Sequence, residues 1–123
     1  KKLKKLVASR KATKYIRFVG RKTRLETQQL IARSRALVLL SSYEGQSHVV
    51  IEAMCLGVPV IASNILPNQE LIKSDQYLID PKDDQQFSKA LSSLKPIPKE
   101  VSVQLRHYHT WNNHLKILLP LLS

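Results

Sequence analysis

The sequence predicts an α/β domain in which helices flank a mainly parallel sheet. Four short runs are almost continuously apolar, which is typical of strands buried on both faces of a sheet. These runs alternate with segments of helical spacing, and this alternation favours right-handed crossovers between parallel strands. The length of 123 residues, 43% of them hydrophobic, is consistent with one domain over 1–123.

The four apolar runs are separated from one another by segments long enough to form crossover helices. Each run has four to six residues, an ordinary strand length. The sequences YIRFV, ALVLL, VPVIAS and YLID predict strands at 15–19, 36–40, 58–63 and 77–80.

Helices are predicted between and after these strands. The first places Leu25, Leu30 and Ile31 on one stripe, and the second is apolar and stops at Gly57, a residue that favours the left-handed turn after a helix. The predicted helices cover 24–34, 48–57, 68–74, 83–94 and 110–123.

The chain is strongly basic, and the positive charge is concentrated at its start. It has 20 Lys and Arg against 9 Asp and Glu, a formal net charge of +11, and eleven of the basic residues lie in 1–24. Such a block can attract phosphates, nucleic acid or anionic lipid, although a solvated helix face followed by a basic loop is the preferred interpretation. Contact of a helix over 1–14 with an anionic membrane stays open. Nucleic acid is disfavoured, because the seven aromatic residues are scattered and no RNA- or DNA-binding motif is present.

Cysteine usage and hydropathy favour a location in the cytoplasm. The single cysteine, Cys55, cannot form an internal disulfide. It lies on the apolar face of the 48–57 helix and is expected to be a small core residue rather than a catalytic thiol. The start has no apolar signal-peptide centre, and no apolar run approaches the ~20 residues that span a bilayer. We expect a cytoplasmic protein, or one held peripherally at the cytoplasmic face of a membrane.

The loop SSYEGQS has the features of an anion-binding site. It leaves the carboxyl end of the 36–40 strand, the edge at which open parallel sheets bind ligands, and it opens the next helix. Gly45 allows a sharp turn and a close approach of the backbone to a ligand. The N–H groups of Gln46, Ser47 and His48 would point out of the helix start, where the helix dipole favours a phosphate.

Two carboxylates lie around this loop, eight positions apart. Glu52 is about one turn, roughly 6 Å, into the helix, and a carboxylate that accepts two hydrogen bonds suits the cis-diol of a ribose. Glu44 would hold hydroxyls of the group that the diphosphate carries. Together, the basic loop, the backbone amides and the two separated carboxylates predict a sugar-nucleotide site. Taken singly, Glu52 would be interpreted as a solvent-facing helix residue and Glu44 as a helix cap.

Two other chemistries fit less well. A glycosidase pair needs carboxyl groups facing each other at roughly 5–9.5 Å, which this spacing does not ensure, and we expect neither Glu to be buried enough to act as an acid of raised pKa. His107, His109 and His114 do not share a helix face and have no neighbouring Cys or acid, so no metal site is predicted.

The segment 15–81 resembles the C-terminal, donor-binding domain of GT-B fold retaining glycosyltransferases of group 1 (glycosyltransferase family 4). EAMCLGVPVIAS matches that family almost letter for letter, and NQELI and YLIDP match the pieces that follow. Glu44 and Glu52 match its E-x7-E motif. The resemblance implies a partial Rossmann-like sheet, the C-terminal half of a GT-B fold.

The resemblance also implies roles for these residues. The donor would be a nucleoside-diphosphate sugar, transferred with retention and without a bound metal or other cofactor. Glu44 would contact the donor sugar and is the candidate catalytic residue, and Glu52 would bind the ribose. The backbone at Gly45, Gln46, Ser47 and His48 would approach the sugar and the diphosphate.

The chain departs from the family pattern mainly by what it lacks. Ser41 stands where Pro is usual and Gln46 where Phe is usual. The family's first two strands, its cationic diphosphate loop and its acceptor domain are not recognisable. We therefore expect the donor-binding portion of an enzyme, inactive by itself; the alternative is a non-catalytic nucleotide-sugar-binding module or subunit that needs a separate acceptor-domain chain.

Overall fold

The fold alternates helices and strands, as the sequence predicts. The computed structural model describes residues 2–41, 48–72 and 74–103. Residues 99–103 are also helical. The elements are α1 (Lys2–Ser9), α2 (Arg24–Ala32), β1 (Leu37–Leu39), α3 (His48–Cys55), β2 (Val60–Ser63), α4 (Leu66–Leu71), a 3₁₀ turn (Asp75–Tyr77), β3 (Leu78–Ile79) and α5 (Asp84–Ser92).

The strands form one parallel sheet in the order β1-β2-β3. Leu37 of β1 is opposite Val60 of β2, and Ala62 of β2 is opposite Leu78 of β3. Because all three strands run the same way, their carboxyl ends meet at one edge of the sheet. The predicted α/β class with a partial Rossmann-like parallel sheet is confirmed.

The central strand β2 is buried along its whole length, with helices on both of its faces. Val60 and Ala62 belong to a core cluster that includes residues of α2 and α3. Ile61, which points to the opposite face, packs with Ile79 and with Ala90 of α5. This two-sided burial explains why the VPVIAS run is continuously apolar rather than alternating.

The end of α3 is fixed by Gly57, as predicted. Gly57 has φ +81°, a left-handed conformation that side chains with a Cβ rarely adopt. Its N–H donates to the Met54 carbonyl at 3.0 Å, and the Val58 N–H donates to the Ala53 carbonyl at 2.9 Å. This pair of bonds is a Schellman motif, and it turns the chain directly into β2.

The predicted strand at 15–19 is wrong: residues 16–20 are irregular, and the described sheet has three strands rather than four. Tyr15 is 76% exposed and Phe18 43% exposed. A strand is stable only when a neighbour satisfies its backbone groups, and no strand in the described ranges pairs with this segment. The segment therefore does not form a strand, despite its β propensity.

One predicted helix also differs in its bounds. The helix expected at 68–74 is α4, which begins at Leu66 with Pro67 in its first turn, where a missing N–H is tolerated. The helix expected at 110–123 lies outside the described residues. Cys55 is 1% exposed, as expected for a core residue.

Candidate functional site

The carboxyl edge of the sheet is where the sequence places a ligand. The chain leaves β1 toward α3, β2 toward α4 and β3 toward α5, all at this edge. Four of the six predicted site residues lie outside the described part of the chain: Glu44, Gly45, Gln46 and Ser47. The structure therefore describes the site from His48 and Glu52.

His48 and Glu52 occupy successive turns of α3. His48 is the first residue of the helix and is exposed. Glu52 follows four residues later, which places both on one side of the helix, and it is only 7% exposed. The alternative of a solvent-facing Glu52 and the expectation that neither Glu is buried are both wrong for this residue, because α2 covers that side of α3.

Gln28 on α2 is the direct neighbour of Glu52. Its side chain is fully buried, and it forms a side-chain hydrogen bond with the Glu52 carboxylate. Only the amide N–H of a glutamine side chain can donate, so the carboxylate is the acceptor. Arg24, one turn before Gln28 in α2, also acts on Glu52 through its positive charge.

Sequence reasoning missed Arg24 and Gln28, although a signal is present. Arg24, Gln28 and Ile31 follow the i, i+4, i+7 spacing of one helix face, and Ile31 lies on the predicted apolar stripe. A glutamine on the buried face of a helix needs a hydrogen-bond partner. The acid nearest to that partner role is Glu52, in the next predicted helix of the chain.

Burial dominates the electrostatics of Glu52. Desolvation raises the pKa of its carboxyl group above the ordinary value. Among the described residues, three groups oppose this effect: Gln28 through its hydrogen bond, and Arg24 and His48 through their positive charges. A buried carboxylate of this kind gains stability when hydroxyl groups donate to it. The surroundings of Glu52 thus favour a ligand that brings hydrogen-bond donors.

The neighbouring turns at this edge are held by their own polar groups. Asn68 Nδ2 donates to the Ser63 carbonyl at 2.9 Å, and Gln69 Nε2 donates to Asn64 Oδ1 at 2.8 Å. After β3, the Lys82 N–H donates to Asp80 Oδ1 at 2.9 Å. These bonds fix the turns that leave β2 and β3.

A groove of about 570 Å³ lies away from this edge. It is at the amino ends of β2 and β3, and its lining is mainly apolar, with Leu71, Tyr77 and Ile97 among the lining residues. The turn into α3 lies at the carboxyl edge of the sheet, whereas this groove lies at the opposite, amino edge. The groove is therefore not part of the predicted sugar-nucleotide site.

Neither a metal-binding cluster nor a membrane-spanning helix is present in the described part of the chain. Across 2–41, 48–72 and 74–103, no three His, Cys, Asp or Glu side chains are grouped so that they could hold a metal ion. His107, His109 and His114 lie outside these ranges. In the same ranges, no helix has the length and apolar character to cross a bilayer.

Comparison with known proteins identifies the family. The family model described as Glycosyl transferases group 1 matches residues 1–109. The chain is 33% identical over 93 residues to Glycosyltransferase 1 domain-containing protein 1 of Xenopus tropicalis, covering 70% of this chain and 27% of the relative. It is 35% identical over 69 residues to O-antigen chain mannosyltransferase B of Escherichia coli, covering 56% of this chain and 18% of the relative.

The chain thus spans about a quarter or less of the length of these curated relatives. No solved structure matches it. The family match covers most of the chain and includes the parallel sheet, α3 and Glu52. The chain therefore belongs to the group 1 glycosyltransferases.

Proposed function

We propose that this chain is the donor-binding part of a retaining glycosyltransferase, which transfers a sugar from a nucleoside-diphosphate sugar to an acceptor. Membership of the group 1 family supports glycosyl transfer. The observation that carries the proposal is the position of Glu52: a buried carboxylate, one turn into a helix that starts at the carboxyl edge of a parallel sheet.

The proposed binding mode uses the two ends of the first turn of α3. The start of α3 at His48 has the positive end of the helix dipole and is suited to the diphosphate. Glu52, roughly 6 Å further along the axis, accepts hydrogen bonds from the two ribose hydroxyls. One helix would then bind both the phosphate and the ribose of the nucleotide.

The remaining roles concern the sugar. Glu44 contacts the donor sugar and is the candidate catalytic residue, and the backbone of Gly45, Gln46 and Ser47 approaches the sugar and the diphosphate. One of the relatives is named a mannosyltransferase, which makes a hexose the first donor sugar to test.

A calorimetric titration tests this division of roles. UDP, GDP and ADP are titrated with and without an attached hexose into the wild type, Glu52→Ala and Glu44→Ala. Glu70→Ala, which changes an exposed glutamate of α4, is the matched control.

We expect Glu52→Ala to lose about 1.5–3 kcal/mol, or roughly 10- to 150-fold, on every nucleotide bound by the wild type, because the charge-assisted bonds to the ribose are lost. Glu44→Ala should lose affinity only for the sugar-bearing nucleotides. Equal losses for both variants on bare nucleotides would refute the division of roles. Failure of the wild type to bind any of the three would overturn the proposal itself.

We also propose that α1 contacts an anionic lipid surface. None of its residues is buried, Leu3 is 65% and Leu6 49% exposed, and lysines lie between them. The Lys4 ammonium group lies 5.8 Å from the centre of the Phe18 ring, so that the exposed aromatic residue joins the same surface. Helices that combine exposed apolar residues with lysines bind at the membrane interface, and each cation contributes about 1 kcal/mol at an anionic surface.

A further inference from the structure

The side chain of Gln28 is polar but fully buried, and packing alone does not explain why a polar side chain occupies this position. Its side chain is 0% exposed between α2 and α3, where an apolar residue would pack without needing a hydrogen bond. Burying an amide costs free energy unless its polar atoms find partners. Here the amide is directed at another buried polar group, the Glu52 carboxylate. The pair therefore indicates that Gln28 acts on Glu52.

We infer that Gln28 is a positioning residue, whose side-chain N–H holds the Glu52 carboxylate in one orientation and in its charged form for the two ribose hydroxyls. The inference rests on the proposed function, because it assigns to Gln28 a part in the same nucleotide site. It adds a residue from α2 to a site that sequence motifs place on the loop before α3 and on α3 itself.

A neutral donor is suited to this task. Lys or Arg at position 28 would form a buried ion pair with Glu52 and would compete with the ligand for the carboxylate charge. The amide of Gln28 orients the carboxylate and leaves its negative charge for the hydroxyl donors. Because the Gln28 side chain is already fully buried, its rotamer freedom is lost before the ligand binds rather than at binding.

Other groups act on Glu52 from the elements packed around it. In the described part of the chain these are Arg24 from α2 and His48 from α3, and both favour the charged carboxylate. Both side chains are exposed, so solvent screens their effect. Removal of the Gln28 hydrogen bond should therefore move the pKa of Glu52 further upward, because the described groups that still oppose the effect of burial are then these two screened charges.

The test replaces Gln28 by Met, an unbranched residue that keeps most of the volume and forms helices well but cannot donate. Gln29→Met is the matched control, since Gln29 is the next residue of α2 and is exposed. Gln28→Leu is a second variant, so that a folding defect of one substitution does not decide the outcome. Circular dichroism confirms that each variant is folded.

Two titrations are made from about pH 4 to 9, a range that begins near the ordinary carboxyl value and extends well above it. The first follows the Glu52 side-chain carboxyl carbon by NMR without nucleotide. The second measures the Kd of UDP, GDP and ADP. We expect Gln28→Met and Gln28→Leu to raise the Glu52 midpoint and to weaken nucleotide binding about tenfold at low pH, with recovery toward wild type at high pH.

The outcomes separate this inference from the proposed function. If the wild type binds nucleotide but the Gln28 variants leave the Glu52 midpoint unchanged, or lose affinity equally at every pH, Gln28 has only a structural role and the inference is overturned alone. If the wild type binds none of the three diphosphates, the proposed function fails, and this role for Gln28 fails with it.

Discussion

Replacing Glu52 by Gln should stabilise the fold and weaken nucleotide binding at the same time. The substitution keeps the shape of the side chain and can still accept the hydrogen bond from Gln28, but it removes the buried charge. Because burial raises the pKa of Glu52 above its ordinary value of 4.5, the folded chain binds this proton more tightly than the unfolded chain. The free energy of unfolding of the wild type therefore falls as the pH rises from the ordinary toward the raised value.

Above both values the wild type carries the whole cost of the buried charge, whereas Glu52→Gln carries none. Neutral pH lies well above the ordinary value of 4.5, so the wild type has already lost stability there and the variant should be the more stable protein. For binding, a hydrogen bond to a charged acceptor contributes about 1 kcal/mol more than one to a neutral acceptor. Two ribose hydroxyls then correspond to about 2 kcal/mol, or a roughly 30-fold weaker Kd.

The assay combines urea unfolding at several pH values with calorimetric titration of the nucleoside diphosphates. Glu70→Gln is the control, because it removes the same charge from an exposed position of α4. A Glu52→Gln variant that is less stable at neutral pH and binds nucleotide like the wild type would refute the reasoning, because Glu52 would then be a structural acid.

Two further predictions concern the fold and the lipid surface. Gly57→Ala should lower the free energy of unfolding by about 1–2 kcal/mol in urea titrations, because φ is +81° at this position. The added Cβ would lie 3.7 Å from Ser102 Oγ, an ordinary contact, so a larger loss would point to a cause other than the backbone. Binding to phosphatidylserine vesicles should fall steeply between about 0.05 and 0.5 M salt and should be lost when Lys2, Lys4 and Lys5 are all replaced by Gln. Equal binding to phosphatidylcholine vesicles would contradict the electrostatic contact, and equally salt-dependent binding to duplex DNA would indicate a nucleic-acid partner instead.

The central part of the fold could be predicted from the sequence because local signals and tertiary packing agree there. The VPVIAS run is buried on both faces of the sheet, as a continuous apolar strand requires. Gly57 supplies the conformation that ends α3. In both places the residue types allow few alternatives, so the pattern determines the structure.

The segment 15–19 shows where local propensity is insufficient. YIRFV has the composition of a strand, but strand formation depends on a neighbour that is distant in sequence. Sequence patterns report the preference of the segment and not the presence of that neighbour. In the structure, Ile16 is 47% and Val19 39% exposed, so this segment does not have the burial of a sheet strand.

The burial of Glu52 could also not be predicted from the sequence pattern. Its spacing from Glu44 and its place in α3 follow from the motif, but its environment depends on α2 docking against that side of α3. The partner, Gln28, lies 24 positions earlier in a different helix. Pairs of this kind are set by helix packing, which periodicity in one helix does not report.

The most direct test of the donor site is an NMR map of the chain with saturating UDP, GDP or ADP. Binding at the carboxyl edge should shift the backbone amides of His48 and Glu52 at the start of α3, together with the buried side-chain amide of Gln28. Shifts confined to the groove at the amino ends of β2 and β3, around Leu71, Tyr77 and Ile97, would contradict a nucleotide site at Glu52.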